Sequence, residues 1–394
     1  MKILCLSFRT PPQIRPQAIL IGKMLPEWLR QGIEPILVTY DNNGDLDLNI
    51  PLFKIPVFKL GLISKRIPVW RNFAEILYYL KIYRITKRVI RKHKIDLVFS
   101  FSNPQRSNVL GALVKKYLGI KFVSYFSDPW VDNPYEKTKF FGRTKLYIQE
   151  KFIINQSDKI IFPNNQLREL VMKKYSENLK KKALVIPHCF DPAAYPNFKK
   201  INEKFVFSYI GAFFKERNPE LFFKALNNLF LQQPEVKDLI SLNLVGSVNK
   251  YSDFSENDIR LMLKKYDLEN ISEIIPQVNY HESLKYMKQS DCLIVIDANF
   301  DASPFLPSKL IDYFGSGNLI IGITPESSVT AEFLEEAGLP HFNYNQSNEL
   351  KAYLKSIILH QSIPNIDLNF VKKFEVKNTT AELKAVFSNL INNQ

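Results

Sequence analysis

The chain contains 394 residues, of which 46% are hydrophobic and 23% charged, and it carries a formal net charge of +14. This composition excludes an intrinsically disordered chain, and the length exceeds the roughly 250–300 residues at which one hydrophobic core stops growing, so two domains are expected. The three cysteines, an odd number, have no metal-ligand spacing.

The first half of the chain alternates short apolar runs with longer helical patterns. Strands are predicted at residues 2–8, 34–39, 95–99, 121–125, 159–162 and 184–186, and helices at residues 18–31, 105–118 and 144–155. Strands that alternate with helices are typical of a parallel sheet covered on both faces. A turn follows at residues 187–191, so we place the first domain at residues 1–187.

The same alternation then begins again. Strands are predicted at residues 205–210, 241–245, 274–276, 292–297 and 319–323, and helices at residues 219–230, 282–289 and 308–314. The pattern therefore predicts an α/β protein with a second doubly wound domain at residues 188–374. A final segment, residues 375–394, contains a helix that we expect to pack back onto the first domain.

The beginning of the chain and its apolar runs bear on its location. The sequence starts with a strand-like run rather than a basic and then apolar leader, and no apolar run approaches the roughly 20 residues that span a bilayer. A cytoplasmic protein is expected.

The positive charge lies in the first half. Residues 1–200 contain 35 Lys and Arg against 15 Asp and Glu, a net charge of +20, whereas residues 201–394 contain 18 against 24, a net charge of −6. Residues 54–94 mix twelve basic residues with aromatics such as Trp70 and Phe73. This mixture suits an anionic membrane surface, and predicts a peripheral protein on the inner face of the cell membrane. The alternative is a solvated helix face with aromatics in the core. Nucleic acid is disfavoured, because no nucleic-acid-binding motif accompanies the charge.

Ligands of parallel sheets bind beyond the carboxyl ends of the strands, so the loops there are candidate sites. After the strand that ends at Ile210, Gly211 begins a loop with Lys215 and Arg217 beside a helix that Asn218 is expected to cap. Cations and free backbone N–H groups at a helix N-terminus form an anion site. The alternative is a mixed surface cluster.

A second loop leads into the predicted helix 308–314. Ser308 is expected to cap this helix, and Gly315 and Gly317 are expected to stop it. Lys309 and Asp312 are three residues apart and share one face, so Lys309 can bind a diphosphate while Asp312 accepts hydrogen bonds from a ribose. The alternative is an ordinary Lys–Asp surface pair.

Two loops of the first half are also candidates. Asn103 lies in a polar loop before a predicted helix, and Asp128 follows the strand that ends at Tyr125. Asp128 fits a base or a hydroxyl-binding group and fits equally well a turn residue ahead of Pro129.

Four of these segments together resemble bacterial glycosyltransferases of family 4. They are residues 307–313, residues 211–220, residues 128–130 and residues 186–188, and their order and spacing match over nearly the whole chain. The resemblance implies a GT-B fold, with two Rossmann-like domains facing across a cleft, the acceptor in the first and the nucleotide-sugar donor in the second. It also implies a hexosyltransferase reaction in polysaccharide biosynthesis that retains anomeric configuration without a metal or cofactor.

The resemblance also implies roles for individual residues. Arg217 and Lys309 correspond to the pair that neutralises the donor diphosphate, and Asp312 to the acidic residue that binds the ribose. Asp128 occupies the place of a residue facing the reacting sugar. The remaining candidates are Gly211, Ser308 and His188 on the donor side, and Arg15 and Asn103 on the acceptor side.

One departure from the family pattern concerns the donor sugar. Many members carry two glutamates eight positions apart, but here Pro304 occupies the first position and Asp312 the second. Backbone groups of residues 301–306 are expected to replace the missing contact. This departure keeps two alternatives open, a nucleotide-sugar 2-epimerase of the same fold and a non-catalytic sugar-nucleotide-binding protein.

A metal site is not expected. Asp45 and Asp47 have the acidic spacing of metal-dependent transferases, but they follow a turn-rich segment and are interpreted as a loop. The other histidines show no ligand spacing.

Overall fold

A computed structural model describes residues 1–41, 48–60, 68–134, 140–197, 203–248, 253–300, 302–360 and 364–392. Asp45, Asp47, Lys65 and Arg66 lie outside these ranges. The chain divides into two compact units, an N-terminal unit of residues 1–188 and 376–394 and a C-terminal unit of residues 189–375. The predicted boundaries at 187/188 and 374/375 each lie one residue earlier, and His188 therefore belongs to the N-terminal unit.

The N-terminal unit contains a seven-stranded parallel sheet within the described residues, in the order β3-β2-β1-β4-β5-β6-β7. Its strands are β1 (Lys2–Leu6), β2 (Glu34–Tyr40), β3 (Leu52–Ile55), β4 (Leu97–Phe101), β5 (Lys121–Tyr125), β6 (Lys159–Phe162) and β7 (Ala183–Val185). The central strands are mostly apolar because helices cover both faces of the sheet, and all five residues of β4 are buried.

Helices of this unit connect the parallel strands in a doubly wound arrangement. They are α1 (Pro16–Arg30), α2 (Pro68–His93), α3 (Arg106–Leu118), α4 (Phe140–Gln156), α5 (Asn165–Met172) and α6 (Glu177–Lys180). The 26-residue helix α2 was not among the predicted elements, although it occupies most of the basic segment 54–94. Its hydrophobic residues do not lie on one side only, so its periodicity is weak.

The C-terminal unit repeats this architecture with a six-stranded parallel sheet in the order β10-β9-β8-β11-β13-β15. Its strands are β8 (Phe205–Ile210), β9 (Ile240–Val245), β10 (Ser272–Ile275), β11 (Cys292–Ile296), β12 (Ala302–Ser303), β13 (Leu319–Ile323), β14 (Ser327–Ser328) and β15 (His341–Phe342). The strands β12 and β14 pair only with each other. Four strands, β3, β12, β14 and β15, were not predicted, because two to four residues carry little periodicity.

The helices of the C-terminal unit include the two that border the predicted donor loops. They are α7 (Glu220–Gln232), α8 (Glu256–Lys265), α9 (Tyr280–Gln289), α10 (Ser308–Ser316), α11 (Val329–Glu336), α12 (Ser347–His360) and α13 (Leu368–Lys372). No described helix of either unit is long and apolar enough to cross a membrane.

The last helix, α14 (Val376–Asn392), belongs to the N-terminal unit. The Phe387 ring packs edge-on against Trp28 of α1, with 5.7 Å between the ring centroids. At the same end of α1, Lys384 donates to the Gln31 carbonyl at 2.6 Å. The final helix therefore packs on the first domain, as the sequence indicated.

Three predicted helix boundaries are wrong in detail. Pro307, not Ser308, is the N-cap of α10, because its extended backbone immediately precedes the first turn. Pro219 similarly precedes α7, although Asn218 accepts a bond from the Glu220 N–H at 3.0 Å. Gly315 lies inside α10, where a Cβ would overlap the side chains of Phe190 and Tyr195. Helix α10 ends at Gly317, whose φ of +72° is left-handed.

Candidate functional site

In each sheet, the strand order reverses direction at one pair of neighbouring strands, and ligands of open α/β sheets bind there. In the C-terminal unit this switch point lies between β8 and β11, and in the N-terminal unit it lies between β1 and β4. The loops after β8 and β11 contain the predicted donor residues, and the loops after β1, β4 and β5 contain the predicted acceptor residues.

At the C-terminal switch point, Lys309 lies directly against Gly211. A Cβ on Gly211 would lie 2.8 Å from Lys309 Nζ, and the φ of Gly211, +119°, is one that other residues rarely adopt. The Nζ atom also lies 3.9 Å from the centroid of the Tyr209 ring. Glycine is therefore required here both by backbone conformation and by the close approach of the lysine.

The Lys309 ammonium has no conventional partner in the part of the chain that the structure describes. Its Nζ atom is buried and lacks a hydrogen bond to any described residue. Burial, and secondly the charge of Arg217, hold the pKa of Lys309 well below its usual range. A buried ammonium that lacks an acceptor is unstable, and an anion placed beside it would restore its charge.

Arg217 is held beside this lysine by its own loop. Its Nη2 donates to the Ala212 carbonyl at 3.2 Å, and its guanidinium carbon lies 4.9 Å from the centroid of the Phe214 ring. The Nε atom is buried and has no partner among the described residues. Residues Tyr209, Gly211, Arg217 and Lys309 are together called the cation cluster below. The structure thus brings three predicted donor residues into one place.

Asp297 supports the loop that leads to Lys309, and the sequence analysis missed this role. It is buried at the carboxyl end of β11 and accepts hydrogen bonds from the Ala298 N–H at 2.8 Å and from Ser303 and Thr330 at 3.1 Å. Burial raises the pKa of its carboxyl group, and these bonds oppose the rise. An acidic residue directly after the run Cys292–Ile296 is the signal that could have identified it.

Asp312 lies one turn after Lys309 and is buried. Its Oδ1 accepts a hydrogen bond from the Tyr280 hydroxyl at 3.0 Å, and its carbonyl accepts one from Tyr195 at 2.6 Å. Burial, and then the Asp312 charge, raise the pKa of Tyr280. The carboxylate is therefore held in a defined position, and its ribose-binding role stays a prediction.

At the N-terminal switch point, polar side chains bind one another. The Asp128 carboxylate accepts hydrogen bonds from Ser127 Oγ at 2.8 Å and from Asn103 Nδ2 at 3.3 Å. Ser102 Oγ accepts the Ser127 N–H at 2.8 Å, and Gln17 donates to the Ser102 carbonyl at 3.1 Å. These five residues are called the hydroxyl network below. Burial raises the pKa of Asp128, although both side-chain bonds oppose the rise.

Two other predicted residues lie in the N-terminal unit. Arg15 is half-buried at the N-cap position of α1, two residues before Gln17. His188 is buried, and its Nδ1 lies 3.1 Å from the Tyr125 hydroxyl. Burial, and then the charge of Lys23, lower the pKa of His188 to about 3, so the ring is neutral near pH 7. A neutral imidazole can exchange hydrogen bonds but supplies no charge to a diphosphate.

A buried acid that the sequence analysis did not consider supports the Asp128 loop. Glu150 of α4 accepts hydrogen bonds from the Val131 N–H at 3.2 Å and from Tyr175 at 2.9 Å, and it pairs with Lys174 at 2.8 Å. Lys174 also pairs with Asp132. Because both ends of this network contact residues just after Trp130, it holds the loop that presents Asp128.

Across the described ranges, no group of three or more His, Cys, Asp or Glu side chains is arranged to hold a metal ion.

The chain is similar to known proteins in sequence over part of its length and in fold over its whole length. The sequence model of Glycosyltransferase Family 4 matches residues 18–194. An uncharacterized glycosyltransferase of Methanocaldococcus jannaschii is 23% identical over 247 residues, which cover 60% of this chain and 59% of that protein. The match therefore spans less than two thirds of this relative's length.

Solved structures are similar over essentially the whole chain. Sucrose-phosphate synthase from Thermosynechococcus elongatus superimposes with a TM-score of 0.73 at 13% identity, covering 100% of both chains. The HepE protein of Anabaena, in complex with UDP and glucose, gives 0.72 at 14% identity, over 99% of this chain and 100% of its own. A UDP-GlcNAc 2-epimerase from Methanocaldococcus jannaschii gives 0.61 at 14% identity, with the same coverage.

These structural similarities establish the fold alone. Proteins with several different activities share this fold at such low sequence identity, so no activity follows from it. The sequence similarity to Glycosyltransferase Family 4 covers residues 18–194, less than half of the chain. The chain as a whole has the GT-B fold.

Proposed function

We propose that this protein is a glycosyltransferase that moves a hexose from a nucleotide-diphosphate sugar to a lipid-linked or surface-polysaccharide acceptor. The observation that carries the proposal is the cation cluster, because at this switch point the buried atoms Lys309 Nζ and Arg217 Nε have no acceptor among the described residues. A diphosphate supplies the oxygens that both side chains need. The UDP bound to the HepE protein supports a donor of this class.

The proposed chemistry is electrostatic. As the bond between the anomeric carbon and the phosphate oxygen breaks, negative charge develops on the departing diphosphate. In this proposal Arg217 and Lys309 would face that charge from fixed positions, so that little reorganisation would be needed when it forms. Asp312 would bind the ribose, and Gly211 would let the diphosphate approach the backbone. We propose that the reaction retains anomeric configuration and needs neither metal nor cofactor.

The acceptor is assigned to the N-terminal unit. Asp128 and Asn103 offer a carboxylate and an amide at its switch point, groups that suit sugar hydroxyls. Arg15 and His188 are proposed as neighbouring contacts to acceptor and donor respectively. The excess positive charge of the first 200 residues supports an acceptor carried on an anionic membrane, at its inner face.

The test begins with binding and then measures turnover. Binding of a panel of UDP-, GDP- and ADP-sugars is measured by calorimetry. The donor that binds most tightly is then labelled in its sugar and incubated with the protein, with and without lipid-linked acceptors. Transfer of label to the lipid fraction, with retention of anomeric configuration read by NMR, supports the proposal, whereas an inverted product would contradict the proposed stereochemistry. Donor binding without any turnover on such acceptors would indicate a non-catalytic protein.

One rival activity is favoured by a specific observation, the similarity to a nucleotide-sugar 2-epimerase. An epimerase changes the sugar without an acceptor. Incubation with donor alone separates the two activities, because only the epimerase would release an altered free sugar.

A further inference from the structure

The first three turns of α2 expose six large hydrophobic side chains. Their exposed fractions range from 46% to 75%, and they are Val69, Trp70, Phe73, Ile76, Leu77 and Leu80. These six residues are called the apolar α2 surface. Isolated exposed hydrophobic residues are common, but a contiguous set on one helix indicates a binding surface.

The spacing places these residues on one face. Val69, Phe73, Ile76 and Leu80 follow one another at steps of four, three and four, which is one stripe of a helix. Packing against the N-terminal core does not explain this stripe, because a different set of α2 residues, including Tyr78, Ile82 and Val89, is buried in that core.

The same stripe becomes basic further along the helix. After Leu80 the steps of four, three and four continue through Arg84, Lys87 and Arg91. The helix contains seven Lys and Arg residues and one acidic residue, Glu75, which is paired with Lys145 at 2.6 Å. One continuous stripe is thus apolar over its first half and cationic over its second.

We propose that the apolar α2 surface inserts into the headgroup region of an anionic lipid bilayer, while Arg84, Lys87 and Arg91 contact the phosphates. Insertion removes the apolar side chains from water, and the cations gain from the negative surface potential. Trp70 and Phe73, whose ring centroids are 6.1 Å apart, are residue types that settle at this depth. With 26 residues, α2 is about 39 Å long and would lie in the plane of the interface.

This inference sharpens the membrane partner named in the proposed function by identifying the docking surface and its mode of contact. It does not require sugar transfer. The experiments therefore contain no donor and no acceptor, so their failure is distinguishable from failure of the glycosyltransferase proposal.

The first experiment measures co-sedimentation of the full chain with vesicles of phosphatidylcholine and phosphatidylglycerol at 70:30. Relative to the unmodified protein, the triple variant Trp70→Ser/Phe73→Ser/Ile76→Ser is expected to bind about 30-fold more weakly or worse. Its matched control, Leu231→Ser/Leu261→Ser/Leu368→Ser, removes three exposed hydrophobic residues elsewhere and should bind normally. Equal binding by both triple variants would overturn the proposal.

The second experiment tests the charged half of the stripe. Arg84→Gln/Lys87→Gln/Arg91→Gln is expected to lower affinity about 100-fold at low salt, from about a 5-fold loss for each cation. The control Lys173→Gln/Lys181→Gln/Lys264→Gln changes net charge equally on exposed lysines of other helices and loops. If both charge variants lose the same affinity, attraction is due to net charge and the stripe has no special role.

The third experiment reports insertion directly. Lipid binding should shift Trp70 emission to shorter wavelength, and bromine-labelled lipids should quench it; Trp70→Phe should abolish the shift while keeping vesicle affinity within about threefold. Binding without any Trp70 shift would contradict insertion. Sedimentation without lipid tests whether a second copy of the chain covers the apolar α2 surface instead. A dimer that the Ser triple variant disrupts, together with no vesicle binding by the unmodified protein, would assign the surface to that second copy.

Discussion

The two switch points of this protein occupy equivalent places in similar sheets, yet their polar groups are arranged in opposite ways. In the hydroxyl network, the half-buried Asp128 accepts bonds from Ser127 and Asn103. In the cation cluster, Lys309 Nζ and Arg217 Nε are buried without acceptors among the described residues. A satisfied network is stable without ligand, whereas an unsatisfied cluster loses stability that a bound anion can restore. The comparison therefore supports the proposal that the C-terminal unit binds the anionic donor.

The largest expected effect comes from Lys309→Met, which removes the ammonium but keeps an unbranched side chain. Transfer is expected to fall about 1,000-fold, because a fixed charge beside the leaving diphosphate is lost. Ligand-free protein should become more stable by about 1–3 kcal/mol, because a buried group without a partner is removed. Steady-state kinetics measures the loss of transfer, and urea unfolding measures the gain in stability. The exposed Lys224→Met is the control.

The pH dependence of stability provides a second measurement on the same variant. The folded-state pKa of Lys309 is lowered, so the unfolded state binds more protons at pH values between that pKa and about 10.5, and stability should rise with pH there. Lys309→Met should remove this rise. Wild-type turnover by Lys309→Met, or by Arg217→Ala, would contradict the donor assignment.

The next largest effect is expected in the hydroxyl network. Asp128→Asn should lower kcat about 100-fold with little change in donor affinity or in stability, because the amide can keep one of the two hydrogen bonds. Burial raises the pKa of Asp128, so wild-type activity should fall as pH decreases through that raised pKa, and the variant should lack this dependence. Unchanged kcat would make Asp128 a turn residue.

Gly211→Ala should weaken the cation cluster through the backbone. The new Cβ meets Lys309 and the φ of +119° is strained, so donor affinity is expected to fall about 10- to 30-fold and stability by about 1–3 kcal/mol. Gly317→Ala is the control, since its φ is also positive at +72° but no atom lies within 4 Å of its Cβ. If both variants keep normal affinity, the close approach to Lys309 is irrelevant to binding.

A smaller effect separates ribose from diphosphate recognition. Asp312→Asn should weaken UDP binding about 10-fold and leave pyrophosphate binding unchanged, because only UDP contains a ribose. Calorimetric titration of both ligands measures the difference. Equal losses for the two ligands would show that Asp312 acts through its bond to Tyr280 instead.

The smallest effect concerns His188. Because the pKa of this ring is lowered to about 3, the unfolded state binds more protons between about pH 3 and 6.5, and stability is lost as pH falls through that window. His188→Gln should therefore show a shallower fall in its urea midpoint between pH 7 and pH 4. The exposed His360→Gln should behave like the unmodified protein.

The alternation of apolar runs with helical patterns was sufficient to predict both sheets. Residues 121–125, 159–162, 205–210 and 319–323 match the observed strands because buried parallel strands are mostly apolar along their length. Helix α2 was missed because it carries hydrophobic side chains on its exposed as well as its buried side. The strand Leu52–Ile55 was missed because four residues carry little pattern.

The sequence by itself determined the two α/β domains, the uneven charge and the loops that carry Arg217 and Lys309, because periodicity, composition and chain order are local properties. Only the tertiary structure decided that Lys309 lies against Gly211, that Asp312 is bound by Tyr280, and that Asp128 is satisfied by its neighbours. Apart from the bond between the adjacent residues Ser127 and Asp128, those facts depend on contacts between residues 25 to about 100 positions apart. They also depend on burial, which removes the water that would otherwise bind each group.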